Sequence, residues 1–210
     1  IEAIPKKPSH LEVLYRANFP ELHITLRYQK SRPPKKWLET FEKHISQWCF
    51  SHKSDETYID TFIKKLIDTQ QKLIVVESCT GGLLSQLLTE KPDATTFFIG
   101  SLITYSNTLK HRLCGVKQST LSSAGAVSET TAEEMASGAL QKHPEATLSI
   151  AITGIAGPKG GTAMKPVGTV CIAISNRKKC ISKTYTFKGS RKRIQLLSAY
   201  TAIQLYSTNY

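Results

Sequence analysis

After Glu145 the sequence has no acidic residue at all, while ten Lys or Arg fall between Lys159 and Arg193. Residues 1–70 carry 12 basic and 9 acidic side chains, so most of the net charge of +12 lies in the remainder. A region of one sign attracts anions, whether a small phosphorylated ligand or nucleic acid, although a solvated basic face has the same composition. No apolar run approaches the roughly 20 residues needed to span a bilayer, and the N-terminus lacks the apolar core and cleavage site of a signal peptide. The five cysteines (49, 79, 114, 171 and 180) form no CxxC pair. This disfavours a disulfide framework or a zinc cage and fits a reducing, cytoplasmic setting. No repeat or low-complexity segment is present, and 40% hydrophobic with 21% charged residues excludes a disordered chain. The chain does not begin with Met, as expected for the tail of a longer polypeptide.

What is present divides into two parts. Leu22 to Gln29 alternates apolar and polar residues, predicting a half-buried strand that Ser31-Arg-Pro-Pro34 breaks. Trp37, Phe41, Ile45 and Trp48 recur at helical spacing, predicting a helix over 35–48. Ser54 and Asp55 are candidate caps for a second helix with an apolar face of Tyr58, Ile59, Phe62, Ile63, Leu66 and Ile67. Beyond it the pattern is α/β. Strands are predicted at 73–76, 97–105, 148–152, 167–174 and 181–187. Helices are predicted at 83–88, 107–113, about 130–142, opened by Thr130-Thr-Ala-Glu133, and about 190–205. The fold class is therefore α/β: a mostly parallel sheet covered by helices on both faces, with an antiparallel edge hairpin made by the last two strands. A small α+β unit over 1–52 precedes the main domain of 53–210.

Ligands of such sheets bind beyond the carboxyl ends of the strands. Glu77-Ser-Cys-Thr-Gly-Gly82 sits at one such end. A Ser there is placed like the nucleophile of strand–turn–helix hydrolases, and the following helix is expected to offer unpaired N–H groups to an oxyanion or phosphate. The plain alternative is an N-cap. Thr104-Tyr-Ser-Asn-Thr-Leu-Lys110 places Lys110 on the first turn of a helix. A desolvated lysine can act as the base a serine needs, whereas an ordinary lysine is solvated. His111, flanked by Lys110 and Arg112, is expected in solvent. Thr153-Gly-Ile-Ala-Gly-Pro-Lys-Gly-Gly161 is built like a phosphate-cradling loop, or like a plain connection, and does not match a nucleoside triphosphate motif.

In order and spacing, Glu77-Ser-Cys-Thr-Gly-Gly82, Tyr105-Ser-Asn-x-x-Lys110, Gly125-Ala-Val-Ser128, the 153–161 loop and Lys165-Pro-Val-Gly168 together resemble the C-terminal domain of the CinA family. Stand-alone members of that family are nicotinamide mononucleotide deamidases. The resemblance covers about 55–210. It implies an amidohydrolase of pyridine nucleotide salvage in which Ser78 is the nucleophile, Lys110 the base and Tyr105 a proton relay or ligand contact. It further implies oxyanion and substrate contacts at Thr80, Gly81, Gly82 and Asn107, at Thr153, Gly154, Ala156, Gly157, Gly160 and Gly161, and at Arg191. No metal or cofactor is implied. The implied partners are a phosphorylated nucleotide substrate and a second copy of the chain, a homodimer. Cys79 is the rival nucleophile, but neighbours on an extended segment face opposite ways, and the resemblance favours Ser78. In Phe187-Lys-Gly-Ser-Arg191, Ser190 stands where the family usually has Asp, which leaves the setting of Arg191 open. Lys91-Pro-Asp93 likewise departs from a usual Pro-Gly turn.

The first 50 residues are similar to the end of the KH-like linker domain of longer CinA proteins. Activity of the molybdopterin-binding-like domain that precedes it there is not assigned to this chain. A non-catalytic role in nucleic-acid binding or as a scaffold is the alternative. Against the former, KH domains grip backbone through Gly-x-x-Gly, and the first 70 residues contain no glycine. Against the latter, Ser78, Tyr105 and Lys110 are all intact.

Overall fold

The computed structural model describes residues 6–28 and 34–210. The chain divides into two compact units, one ending at Thr61 and the other Phe62–Tyr210.

In the first unit, β1 (Leu11–Asn18) pairs antiparallel with β2 (Glu21–Tyr28), and α1 (Lys35–Ile45) follows. Alternation on the two strands brings Leu11, Val13, Ile24 and Leu26 to one side, where they pack with Trp37 and Phe41 of α1. The sequence pattern had given β2 and α1 but not β1, whose Tyr15 and Arg16 are exposed. α1 ends before Trp48, which is 73% exposed rather than part of the apolar stripe. Residues 29–33, including Gln29 and most of the Ser31–Pro34 breaker, lie outside the described residues. α2 (Tyr58–Asp68) starts later than Ser54 and Asp55 suggest. Its cap is Thr57, whose N–H donates to Asp60 Oδ2 at 2.9 Å while Asp60 N–H donates to Thr57 Oγ1 at 3.2 Å. This reciprocal pair satisfies two N-terminal donors of the helix.

In the second unit a five-stranded sheet has the order β4-β3-β5-β6-β7. Its strands are β3 (Leu73–Glu77), β4 (Phe98–Ile103), β5 (Leu148–Gly154), β6 (Thr169–Asn176) and β7 (Cys180–Thr186). β3 is parallel to both β4 and β5, whereas β6 is antiparallel to β5 and to β7. Only β6 is reversed, so four strands point one way and β6–β7 form the edge hairpin. The helices are α3 (Leu83–Thr89), α4 (Asn107–Cys114), α5 (Gln118–Ser123), α6 (Glu129–Lys142) and α7 (Arg191–Asn209). α5 had no distinct sequence signal. α6 is capped by Ser128, which accepts from Thr131 N–H, and not by Thr130. Val76, Ala151 and Ala173 pack with Met135, Ala136 and Ala139 of α6. Small side chains on both sides let helix and sheet approach closely. Leu73, Val75, Ile150 and Ile174 alternate to the other face, where α7 lies across β5 and β6. Phe62 of α2 meets Tyr206 of α7 edge to face, with ring centroids 5.3 Å apart. No helix of the described residues is long and apolar enough to cross a membrane.

Because β6 alone is reversed, the segments after β3, β4, β5 and β7 all emerge at one rim of the sheet.

Candidate active site

β3 carries its ladder pairing on to Ser78. Ser78 N–H donates to Ile152 O at 2.9 Å, and Thr104 N–H to Glu77 O at 2.8 Å. The backbone of Ser78 is thereby fixed between β4 and β5. The chain then turns into α3 through Gly81 (φ +62°) and Gly82 (φ +104°), conformations a side chain disfavours.

Ser106 caps α4 by accepting from Leu109 N–H, and the first turn directs Lys110 inward. Lys110 is 1% exposed and Ser78 6%. Lys110 Nζ lies 2.9 Å from Ser78 Oγ, 2.8 Å from Thr104 O and 3.3 Å from Tyr105 O. Burial pushes the amine's pKa below its ordinary value, and no carboxylate opposes this. A neutral amine has two hydrogens and one lone pair. The two carbonyls can only accept, so they take the hydrogens. In the neutral form the lone pair is left for Ser78 and Oγ–H donates to Nζ, the arrangement a general base requires; in the protonated form Nζ donates to all three oxygens.

Cys79 is the thiol of the turn. Its thiol is pushed up to about 12 by burial, and Cys114, also near Lys110, to about 11. Both stay protonated at neutral pH, so neither supplies a thiolate nor a negative charge to hold a proton on Lys110. The Cys79 carbonyl is pinned by Gln195 Nε2 of α7 at 2.8 Å.

One expectation is corrected here. The N-terminal N–H groups of α3 are not open to an anion, because the Glu77 carboxylate occupies them. Gly82 and Leu84 N–H donate to its Oε2 at 3.0 and 3.2 Å, and Ser85 N–H to its Oε1 at 2.9 Å. Gly81 N–H donates to Ser78 O within the turn at 3.2 Å. The N–H groups of Cys79 and Thr80, next to Ser78 in the chain, donate to no oxygen among the described residues. His111 is also not simply solvated: its Nδ1 lies 2.8 Å from Val116 O.

The other predicted residues fall into three groups. Tyr105 is 61% exposed at the rim. Its hydroxyl accepts from Arg191 at 3.2 Å, and the same guanidinium donates to Gly157 O at 2.8 Å. Arg191 thus joins the start of α7, the loop after β4 and the loop after β5. With Ser190 capping α7 through Arg193 N–H, Arg191 is placed by these two oxygens instead of by an acidic neighbour. Thr153 is buried, and its hydroxyl donates to Ala126 O at 2.7 Å, so it braces the 124–128 loop. Lys165 works beside it, donating to Ala124 O and Val127 O at 2.7 Å each.

The glycines of the long loop answer to packing. A Cβ on Gly154 would lie 2.7 Å from Val170 Cγ2, one on Gly157 2.5 Å from Val167 Cγ1, and one on Gly161 2.7 Å from Val167 N. Ala156 and Gly157 are buried and Gly154 half-buried, while Gly160, Gly161 and Asn107 are exposed, and among the described residues no hydrogen bond ties these three to the Ser78–Lys110 pair. Glu77, Thr104, Gln195 and Lys165 were not among the predicted site residues. A glutamate immediately before the serine was the one signal that could have marked Glu77.

Residues 55–209 match the family model described as CinA C-terminal domain. The CinA-like protein of Geotalea uraniireducens is 35% identical over 97% of this chain and 49% of its own length. That of Thermotoga neapolitana is 44% identical over 86% of this chain and 45% of its own. The chain spans about half the length of the curated relatives it matches. Among solved structures, the competence/damage inducible protein CihA from Agrobacterium tumefaciens superposes with a TM-score of 0.68 at 34% identity, covering 73% of this chain and 96% of that one. A CinA superfamily protein from Escherichia coli gives 0.69 at 30% identity, covering 79% and 98%. With its serine, lysine and glycine-rich loops meeting at one rim of an α/β sheet, the chain belongs to the CinA family through that family's C-terminal domain.

Proposed function

We propose that this domain is an amidohydrolase that converts nicotinamide mononucleotide to nicotinic acid mononucleotide and ammonia. The observation that carries the reading is the buried Lys110 amine, held by the carbonyls of Thr104 and Tyr105 with its Nζ 2.9 Å from Ser78 Oγ. Lys110 takes the Ser78 proton as Oγ attacks the carboxamide carbon. The Cys79 and Thr80 N–H groups face the developing oxyanion, each such donor contributing about 3–4 kcal/mol. The protonated lysine then gives its proton to the departing ammonia. Water, activated by the same amine, hydrolyses the acyl-enzyme. The basic C-terminal region, with Arg191 at the rim, attracts the phosphate of the substrate.

Ammonia release from nicotinamide mononucleotide at pH 7–8 tests this in wild type, Ser78→Ala, Cys79→Ala and Lys110→Ala. Turnover is expected in the wild type and the cysteine variant only. Folded wild-type protein without turnover would overturn the assignment.

A further inference from the structure

We infer that Glu77 is a positioning residue that holds the Ser78 turn in its reactive shape by acting as the N-cap of α3 from the end of the preceding strand. This rests on the reading of Ser78 and Lys110 as nucleophile and base. Glu77 is 0% exposed, although a buried carboxylate is costly unless its oxygens are satisfied. They are satisfied fully: beside the three backbone N–H groups, Ser85 Oγ donates to Oε1 at 2.6 Å.

No residue of the turn itself supplies a cap. Position 82, where a Ser or Asp would ordinarily serve, is a left-handed glycine with no side chain. The cap therefore comes from the residue directly before the nucleophile. Ser78 to Gly81 form a short loop closed at one end by the β3 ladder and at the other by the Glu77 carboxylate. Both ends are fixed through the same residue, because Glu77 O also accepts Thr104 N–H, next to the carbonyls that orient Lys110. A change in the carboxylate is transmitted to the Ser78–Lys110 distance. It also alters the direction of the Cys79 and Thr80 N–H groups.

Glutamine at 77 keeps the length but turns an NH2 toward either the Gly82 and Leu84 N–H pair or the Ser85 N–H and hydroxyl. Donor then faces donor, and the turn must shift. Ser85→Ala removes one donor from the carboxylate and leaves the buried charge otherwise paired.

The test measures phosphonylation of Ser78 by a fluorophosphonate, followed by intact mass, across pH 6–10 in wild type, Glu77→Gln and Ser85→Ala. Fluoride leaves as the Oγ–P bond forms, and the serine proton passes to Lys110, so no natural substrate is required. Expected is a limiting rate lowered at least about tenfold in Glu77→Gln and severalfold in Ser85→Ala, with the pH midpoint set by Lys110 unmoved. Where Glu77→Gln does not fold, Ser85→Ala decides. Lowered melting temperatures with a wild-type limiting rate per folded molecule would overturn the inference and leave the Ser–Lys reading standing. An unlabelled wild type would overturn that reading and this one with it.

Discussion

Lys110 Nζ lies 2.8 Å from the carbonyl oxygen of Thr104, six residues earlier in the chain, and that carbonyl accepts whichever hydrogens the amine carries. A guanidinium in the same place keeps its proton at every accessible pH. Lys110→Arg and Lys110→Met are expected to lower turnover by on the order of 10³-fold or more, with arginine no better than methionine despite its charge. Steady-state kinetics on folded variants checks this.

The lowered pKa of Lys110 has two consequences of definite sign. Activity rises with pH through the folded-state value, as the amine loses its proton. Stability follows the same direction. Between that lowered value and the ordinary 10.5, the unfolded chain binds more protons than the folded one, so unfolding becomes less favourable as pH rises. Below the window the lysine contributes a constant penalty. Urea unfolding of wild type and Lys110→Met from pH 7 to 10 should show the wild type gaining on the variant as pH increases.

A thiol pushed up to about 12 is not a thiolate under assay conditions. Cys79→Ala should retain turnover within a few-fold. Iodoacetamide at pH 7.5 should leave Cys79 unmodified in the folded protein while labelling exposed Cys180, as peptide mapping would show.

Gly157 has φ +78°, and a Cβ there would stand 2.5 Å from Val167 Cγ1. Gly157→Ala is expected to cost about 1–3 kcal/mol in denaturant unfolding. Adding Val167→Ala should recover the steric part of that loss and not the part due to the left-handed backbone.

The second unit was legible where one local property determined the outcome. The apolar run Leu73–Val76 suits a buried strand, and Ser78 and Lys110 follow two neighbouring strands closely enough to meet. β1 was not legible, since Leu11–Asn18 is half polar and exists through its pairing with β2. The caps of α2 and α6 were misplaced by a few residues because Ser, Thr and Asp are common in both stretches. Only the geometry shows which hydroxyl reaches an N–H. Glu77 escaped for the opposite reason: in sequence it is a charged residue beside the serine, and its place depends on a carboxylate that meets N–H groups five to eight residues ahead. The glycines of the 153–161 loop look alike in sequence, yet at Gly154, Gly157 and Gly161 the reason is the nearness of Val170 or Val167.

The single reversed strand makes the loop before it the longest at the rim, and much of that loop stands clear of the strand pairings. Ser78 and Lys110 hang from β3 and β4, while the long loop spans β5 to β6, anchored at its base by Lys165 and Gly168. Residues 158–164 form a solvent-facing arc, with Met164 91% exposed near its end. Lengthening or recomposing that arc disturbs no strand pairing and no hydrogen bond of the serine or the lysine. An exposed stretch of about seven residues is thus free to change in length and composition while the setting of Ser78 and Lys110 is kept.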